Sequence, residues 1–407
     1  MKDKIILHVD ANNFFVSCEL LVNPDLKGKP VCVLSNNDGC VVSRSNEAKK
    51  LGVPMGIPHF MAKKQFDSVI YLSSDFALYK QISDRLMQYL CFFSEKVEIY
   101  SIDEAFIDIT GLDKVFNCSF LEVAKKLKQE IFSYIGINVS VGISTSKMLA
   151  KLATHKAKKS DGVYIIEKSN IENELSKVPI EDLWGVGKNT ARALKSLGIF
   201  YANQIIEKDD SLYKSTFGKR GMELKYELLG ESVLPLIYIS EKPKSIQKSR
   251  AFPSFTSDKN FIKTELMFHL HNVCKKLRYY SLKTKTVSVM LRTKDFQVFY
   301  RELNLDFFTN AELVLSEKII SLFDKMYSSF VIYRACGVFV SNLSDITDNQ
   351  LLLFENVENK KGEKIASLID KLESKYGNGT ILQGDLGIKN VQDKHKREMR
   401  YRNILKH

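Results

Sequence analysis

The chemistry in this sequence concentrates on three carboxylates. Asp10 ends the apolar run KIILHVD, and Asp103 and Glu104 stand side by side in YSIDEAF. Along a continuous strand neighbouring side chains point to opposite faces, so Asp103 and Glu104 share a site only if the stretch 97–109 (VEIYSIDEAFIDI) breaks. A break is implied: if VEIYS and AFIDI are two arms of a hairpin, both acids sit at its tip, beside the end of the strand that carries Asp10 if those strands are neighbours. YSIDEAF holds none of the Gly, Asn or Pro that turns recruit, so turn chemistry alone does not account for the acids. Three converging carboxylates raise one another's pKa values and are stable only with cations between them. Hard oxygen ligands select Mg²⁺, and two such ions can stabilise both the attacking and the leaving oxygen of an in-line phosphoryl displacement. The expected chemistry is nucleotidyl transfer.

The elements that must position these acids follow from periodicity. KIILHVD reads as a buried strand, followed by a helix from about Asn13 to Val22 and a strand at PVCVLS. Residues 36–64 are small, polar and turn-forming, which predicts a compact insertion. Tyr79, Ile82, Leu86, Leu90 and Phe93 share one helical face, as do Ala124, Leu127, Ile131 and Ile135 after the hairpin, and INVSVGIS reads as a further strand. The order predicts a sheet with helices packed on one face and its other face free for a ligand. Short helices with glycine punctuation follow from about Glu167, and ESVLPLIYISEKPKS (231–245) reads as a linker. A last unit over 245–342 repeats the strand, helix, strand, strand, helix, strand order, with Ile262, Leu266, Leu270, Val273, Leu277 and Tyr280 striping its first helix.

With 407 residues, 44% hydrophobic and 27% charged, the chain is ordinary globular material for two to four domains, and disorder is excluded as its main state. The net charge of +12 points to an anionic partner, nucleic acid first. Residues 242–301 hold fourteen basic and three acidic residues, a net +11 concentrated in one small unit, which predicts a phosphate-tracking surface. The opening MKDKIILHVD is interrupted by His8 and Asp10 and predicts no secretion signal, and no apolar run is long enough to span a membrane. Seven cysteines without a C-x-x-C pair predict reduced thiols in a cytoplasmic protein and no structural zinc.

HVDANNFF, SNNDGCVVSRSNEAKKLGVPMG, VEIYSIDEAFIDITG and VGISTSKMLAKLA resemble the palm and fingers of a Y-family translesion DNA polymerase, and SNNDGCV followed by NEAK is similar to the UmuC-like branch. The resemblance covers about residues 4–390 and implies a multidomain α/β (α+β) right-hand fold. Its palm is ferredoxin-like (1–35 and 68–166), with fingers at 36–67, a helix-hairpin-helix thumb at 167–232, a linker at 233–244, a βαββαβ little finger at 245–342 and a tail at 343–407. It implies that Asp10, Asp103 and Glu104, with the backbone carbonyl of Ala11, hold two Mg²⁺ ions. Main-chain amides near Phe14 and Phe15, with Ser43, Lys49 and Lys158, would bind the triphosphate of a dNTP. Phe15 falls at the steric gate, the ring that leaves no room for a 2′-hydroxyl; Phe14 is expected in the core. Lys49 stands where many relatives outside the UmuC group have Arg, and Asn46 where they have Tyr, which predicts a looser phosphate grip and slow incorporation.

LWGVGKNTARALKSLGIF (183–200) has the pattern of two apolar-striped helices joined by Gly185-Val186-Gly187. With Lys188, and with Arg250 of the basic unit, it is expected to hold primer-template DNA without reading sequence. Ser35, Gly39, Ser43, Ser45 and Gly52 would cover the nascent base pair with little bulk, which predicts low fidelity and lesion tolerance. No further cluster of acids suggests proofreading. QLLLF (Gln350, Leu351, Leu352, Leu353, Phe354) looks like a sliding-clamp-binding peptide, residues 363–380 resemble the helical segment that follows in UmuC-like chains, and the basic end KHKREMRYRNILKH is divergent. A processed UmuD dimer and a RecA filament are further partners the resemblance implies.

Overall fold

The apolar run before Asp10 becomes the centre of a sheet. A computed structural model of the chain describes residues 4–238, 241–345 and 357–376, and in it β1 (Ile6–Ala11) is buried throughout. α1 (Phe14–Val22) leaves its end. The described residues divide into one unit ending at 240 and one beginning at 241.

In the first unit β2 (Val31–Leu34), β3 (Val41–Arg44), α2 (Asn46–Lys50), α3 (His59–Gln65) and β4 (Ile70–Leu72) form the insertion. The PVCVLS strand, expected in one sheet with β1, is instead the centre of a separate three-stranded sheet ordered β3-β2-β4. Its alternate side chains supply two cores: Val31 and Val33 face the main core, while Cys32 and Leu34 pack with Val41, Ala48 and Val53. Ser45 caps α2 and also receives the Val31 N–H. Ser43 and Ser45 are buried hydrogen-bonding groups.

α4 (Phe76–Phe93), β5 (Val97–Ile99), β6 (Glu104–Asp108), α5 (Leu112–Val115), α6 (Phe120–Ile135), β7 (Val139–Ser144), α7 (Lys147–Ala157) and β8 (Val163–Ile165) complete the main layer. Its sheet order is β5-β6-β1-β7-β8. Leu7, Val9 and Ala11 face a core shared with α1, α4 and α6. The other face is not free, as the sequence pattern suggested: α7 lies across it, with Thr154 bonded to His8 and Ala150 packed on Ile6 and Phe106. The helix passes so close that a Cβ on Gly142 would sit 2.2 Å from both the Ala150 carbonyl oxygen and the Thr154 nitrogen. Gly142→Ala forces helix and strand apart and is expected to cost about 2 kcal/mol of stability in urea unfolding. An unchanged midpoint would show that α7 can lift freely.

α8 (Ile171–Leu175), α9 (Lys188–Ser196), α10 (Asn203–Glu207) and α11 (Asp210–Leu228) close the unit around Ile180, Leu183, Val186 and Leu194. Only the second half of the expected helical hairpin is α-helix. Ahead of the glycines the chain makes a single 3₁₀ turn, Ile180–Asp182, because Pro179 sets an extended entry directly before it. The stretch read as a linker is tied down as far as Ile237. Buried Glu227 accepts the N–H groups of Val233 and Leu234, and buried Glu98 accepts that of Ile237 while paired with Lys147 at 2.7 Å.

The second unit comprises β9 (Ile246–Thr256), α12 (Lys259–Tyr279), β10 (Leu282–Thr293), β11 (Val298–Thr309), α13 (Glu312–Met326), β12 (Tyr333–Asp345) and α14 (Val357–Tyr376). Its antiparallel sheet is ordered β11-β10-β12-β9, with α12 and α13 over the face that carries Val287, Val289, Cys336 and Val338. The last helix begins at Val357, six residues before the 363 expected, and Asp370 on it pairs with the Arg278 guanidinium at 2.8 Å. Gln350, Leu351, Leu353 and Phe354 lie outside the described residues. No described helix is long and apolar enough to cross a membrane.

Candidate active site

Backbone pairing assembles the acids. β5 and β6 are the arms of the expected hairpin, pairing Val97 with Ile107 and Ile99 with Ala105. β6 lies antiparallel to β1 with Asp10 directly opposite Glu104, so these side chains leave the sheet on the same face. Asp103 sits one residue earlier, on the turn, where its carbonyl accepts the Ala11 N–H at 2.9 Å and its carboxylate accepts the Ser101 hydroxyl at 2.6 Å. The expected break between the two acids is thus real, and it fixes residue 11 to residue 103.

The three carboxylates nevertheless do not converge on one point: among the described residues no group of three His, Cys, Asp or Glu side chains is close enough to hold a metal ion. Two of them are paired with lysines of the chain itself. Lys158 Nζ lies 2.7 Å from Asp10, and Lys151 Nζ lies 3.0 and 2.9 Å from the two oxygens of Glu104. Burial raises the Asp10 carboxyl to about 6, opposed by Lys158 and reinforced by Glu104 and Asp103. Burial also raises Asp103, with the Ser101 hydrogen bond pulling the other way and Glu104 adding to the rise. The donor set fits a hard divalent cation: carboxylate oxygens on facing strands, no soft ligand, and an electrostatic strain that positive charge relieves.

The insertion meets α1 beside this face. Asn13, with φ +50° before the first turn, donates to Asn46 at 3.0 Å and accepts from Lys49. Ser43, buried, accepts the Val16 N–H at 3.4 Å and donates to the Asn13 carbonyl at 3.3 Å, so its hydroxyl joins the insertion to α1. Burial lowers the Lys49 pKa, and Arg44 and Lys158 lower it further, with Asp10 pulling the other way. A cleft of about 560 Å³ runs from Asn13, Asn46 and Lys158 out to Lys27 and Lys128. None of the three acids lines it. Phe14 is in the core, as expected. Phe15 is half-buried and stacks on Tyr79 at 4.6 Å with Phe76 edge-on at 5.9 Å.

Gly185, Gly187 and Lys188 are exposed while Val186 anchors the turn in the core. α9 begins without a side-chain cap, which leaves first-turn amides for an anion. Arg250 lies opposite Cys336, a core residue, so it leaves the sheet on the helix-bearing face. The sequence reading missed Asn13, Tyr100, Trp184 and the lysines Lys147 and Lys151. A signal for the lysines exists: 147, 151 and 158 are spaced i, i+4 and i+11, one face of a helix, and each meets a carboxylate of the sheet.

Residues 9–155 match the impB/mucB/samB family, and residues 243–353 match that family's C-terminal domain. The chain is 33% identical to Protein UmuC of Salmonella typhimurium, over 96% of this chain and 95% of the relative. It is 31% identical to DNA polymerase IV of Clostridium kluyveri, over 94% of this chain and 98% of the relative. A solved chimeric Y-family DNA polymerase built on Dbh superposes with a TM-score of 0.71 at 26% identity, covering 84% of this chain and 99% of its own. A Dbh ternary complex gives 0.59 at 27% identity, covering 84% and 100%. With the opposed acids, the lysines facing them and the βαββαβ second unit, the chain belongs to the impB/mucB/samB family of Y-family DNA polymerases.

Proposed function

We propose that this protein extends primer-template DNA with dNTPs and does so across damaged templates. The observation that carries the reading is the pairing of Asp10 with Glu104 across β1 and β6, with Asp103 tied to Ala11 and a cationic cluster at Lys49 and Lys158 alongside. Asp10, Asp103, Glu104 and the Ala11 carbonyl would hold two Mg²⁺ ions. Mg²⁺ held by these residues would supply positive charge to stabilise the primer 3′-oxygen and the departing pyrophosphate. Lys49, Lys158 and the amides at the start of α1 would hold the triphosphate. Asn13 fixes Asn46 and Lys49 at that end of α1. Phe15 would bar the 2′-hydroxyl. Gly185, Gly187 and Lys188 would take a duplex phosphate, with Val186 as their anchor.

The UmuC and SamB relatives go with an error-prone role in a damage response and a processed UmuD dimer as partner; a RecA filament and a sliding clamp would be further partners. The matches to DNA polymerase IV at similar identity support a second reading, a polymerase that works without accessory subunits. Arg250, on the helix-bearing face, is better suited to shaping the sheet edge than to meeting DNA directly.

Primer extension tests the function. With Mg²⁺ the protein should add the templated nucleotide to a primed strand and pass an abasic site, and it should add nothing without template. If extension past the lesion needs a UmuD-like partner and RecA filament, the first reading holds; if it proceeds without them, the second does. Absence of templated addition under every condition would overturn both.

A further inference from the structure

α7 and its C-cap residue present Lys147, Lys151 and Lys158 to the sheet as a row; the first two are each held by a carboxylate and two aromatic rings, and the carboxylate that holds Lys151 is one of the three candidate metal ligands. Lys151 reaches both oxygens of Glu104, and its ammonium also lies 4.7 Å from the Tyr100 ring centre and 5.5 Å from that of Trp184. The two rings meet edge to face at 90° with centres 5.4 Å apart, and the Trp184 indole N–H donates to the Tyr100 hydroxyl at 3.0 Å. The ammonium is thus caged by two aromatic faces and one carboxylate, an arrangement that favours the cation and fixes its place. Tyr100 belongs to the hairpin turn that presents Asp103, and Trp184 directly precedes Gly185-Val186-Gly187.

We propose that Lys151 is a positioning residue that serves as the resident counter-cation of Glu104, competing with a divalent metal for that carboxylate, and that Trp184 and Tyr100 keep it there. The inference rests on the metal-site reading above. Lys151 neutralises Glu104; entry of a divalent ion would require Glu104 to exchange one cation for another or share it. Removing the ammonium therefore tightens metal binding while destabilising only the metal-free state. Loss of a purely structural lysine would lower stability with and without metal and leave the metal affinity unchanged.

The test is Mn²⁺ binding without DNA, followed by electron paramagnetic resonance of the free ion, with thermal melts in its presence and absence. Lys151→Met, which keeps the aliphatic stem, should bind Mn²⁺ about tenfold more tightly than wild type, the equivalent of about 1.4 kcal/mol. Its melting temperature should fall without metal and recover with it. Lys151→Arg should restore wild-type affinity, and Trp184→Phe, which loses the indole N–H, should shift affinity in the direction of Lys151→Met by less. Unchanged or weaker binding by Lys151→Met, or a melting deficit that Mn²⁺ does not repair, overturns the proposal while leaving the metal site intact. No shift in Trp184→Phe overturns the part assigned to the tryptophan. If wild type and an Asp10→Asn, Glu104→Gln variant bind Mn²⁺ equally, the metal-site reading itself falls, and the proposal with it.

Discussion

Replacing Asp103 and Glu104 together with alanine abolishes templated primer extension and leaves the protein folded. The loss is expected to be on the order of a thousandfold or more, because charge that develops at the reacting phosphate is then met by no fixed cation. Stability should move little. Asp103 titrates above its ordinary value in the folded protein. A carboxyl of that kind favours folding when protonated and loses that contribution as the pH rises through its folded value, so at neutral pH its charge is a net cost. Lys151 is left without Glu104 but retains its two aromatic neighbours and some solvent. Single-turnover incorporation alongside a thermal melt reads both quantities. A protein that used this fold only to bind DNA would be indifferent to the change, and extension within tenfold of wild type would remove the two acids from the chemistry.

That outcome depends on a feature legible in the amino-acid sequence itself. Adjacent acids inside an apolar stretch cannot share a strand face, so a break follows if Asp103 and Glu104 serve one site, and the turn over 100–103 supplies it. Other features are hidden for identifiable physical reasons. PVCVLS has the composition of any buried strand, and nothing in four apolar residues states whether the partner is β1 or β4. Gly142 reads as a weak point in a strand, yet it is the place where α7 presses on the sheet. Glu98, Glu227, Lys147 and Lys151 have the look of solvated surface, because a sequence does not show that a charge has found its partner inside. For the same reason a stretch that reads as free linker is fastened by two buried carboxylates. The three acids, expected to converge, form no metal-holding group among the described residues, and lysines of the chain itself meet two of them.

Phe15→Ala is the second large effect: discrimination against ribonucleotides should fall on the order of a hundredfold, the scale on which a site rejects a substrate that adds one hydroxyl. The argument is one of rigidity. A ring excludes a hydroxyl only if it cannot swing aside, and Phe15 is braced by Tyr79 on its face, Phe76 at its edge and Phe14 beside it at 5.8 Å. Tyr79 is in turn fixed, fully buried with its hydroxyl donating to buried Glu19 at 2.7 Å. A 2′-hydroxyl arriving at this ring therefore meets an immobile wall, whose neighbours yield only at the cost of disturbing a close-packed core. Because phenylalanine brings no hydroxyl of its own, Phe15→Tyr should keep the discrimination and alter only how tightly the nucleotide is held. The ratio of kcat/KM for dCTP to that for CTP, measured opposite template guanine, reads the effect directly. A change of less than threefold in Phe15→Ala would mean that the sugar is selected elsewhere.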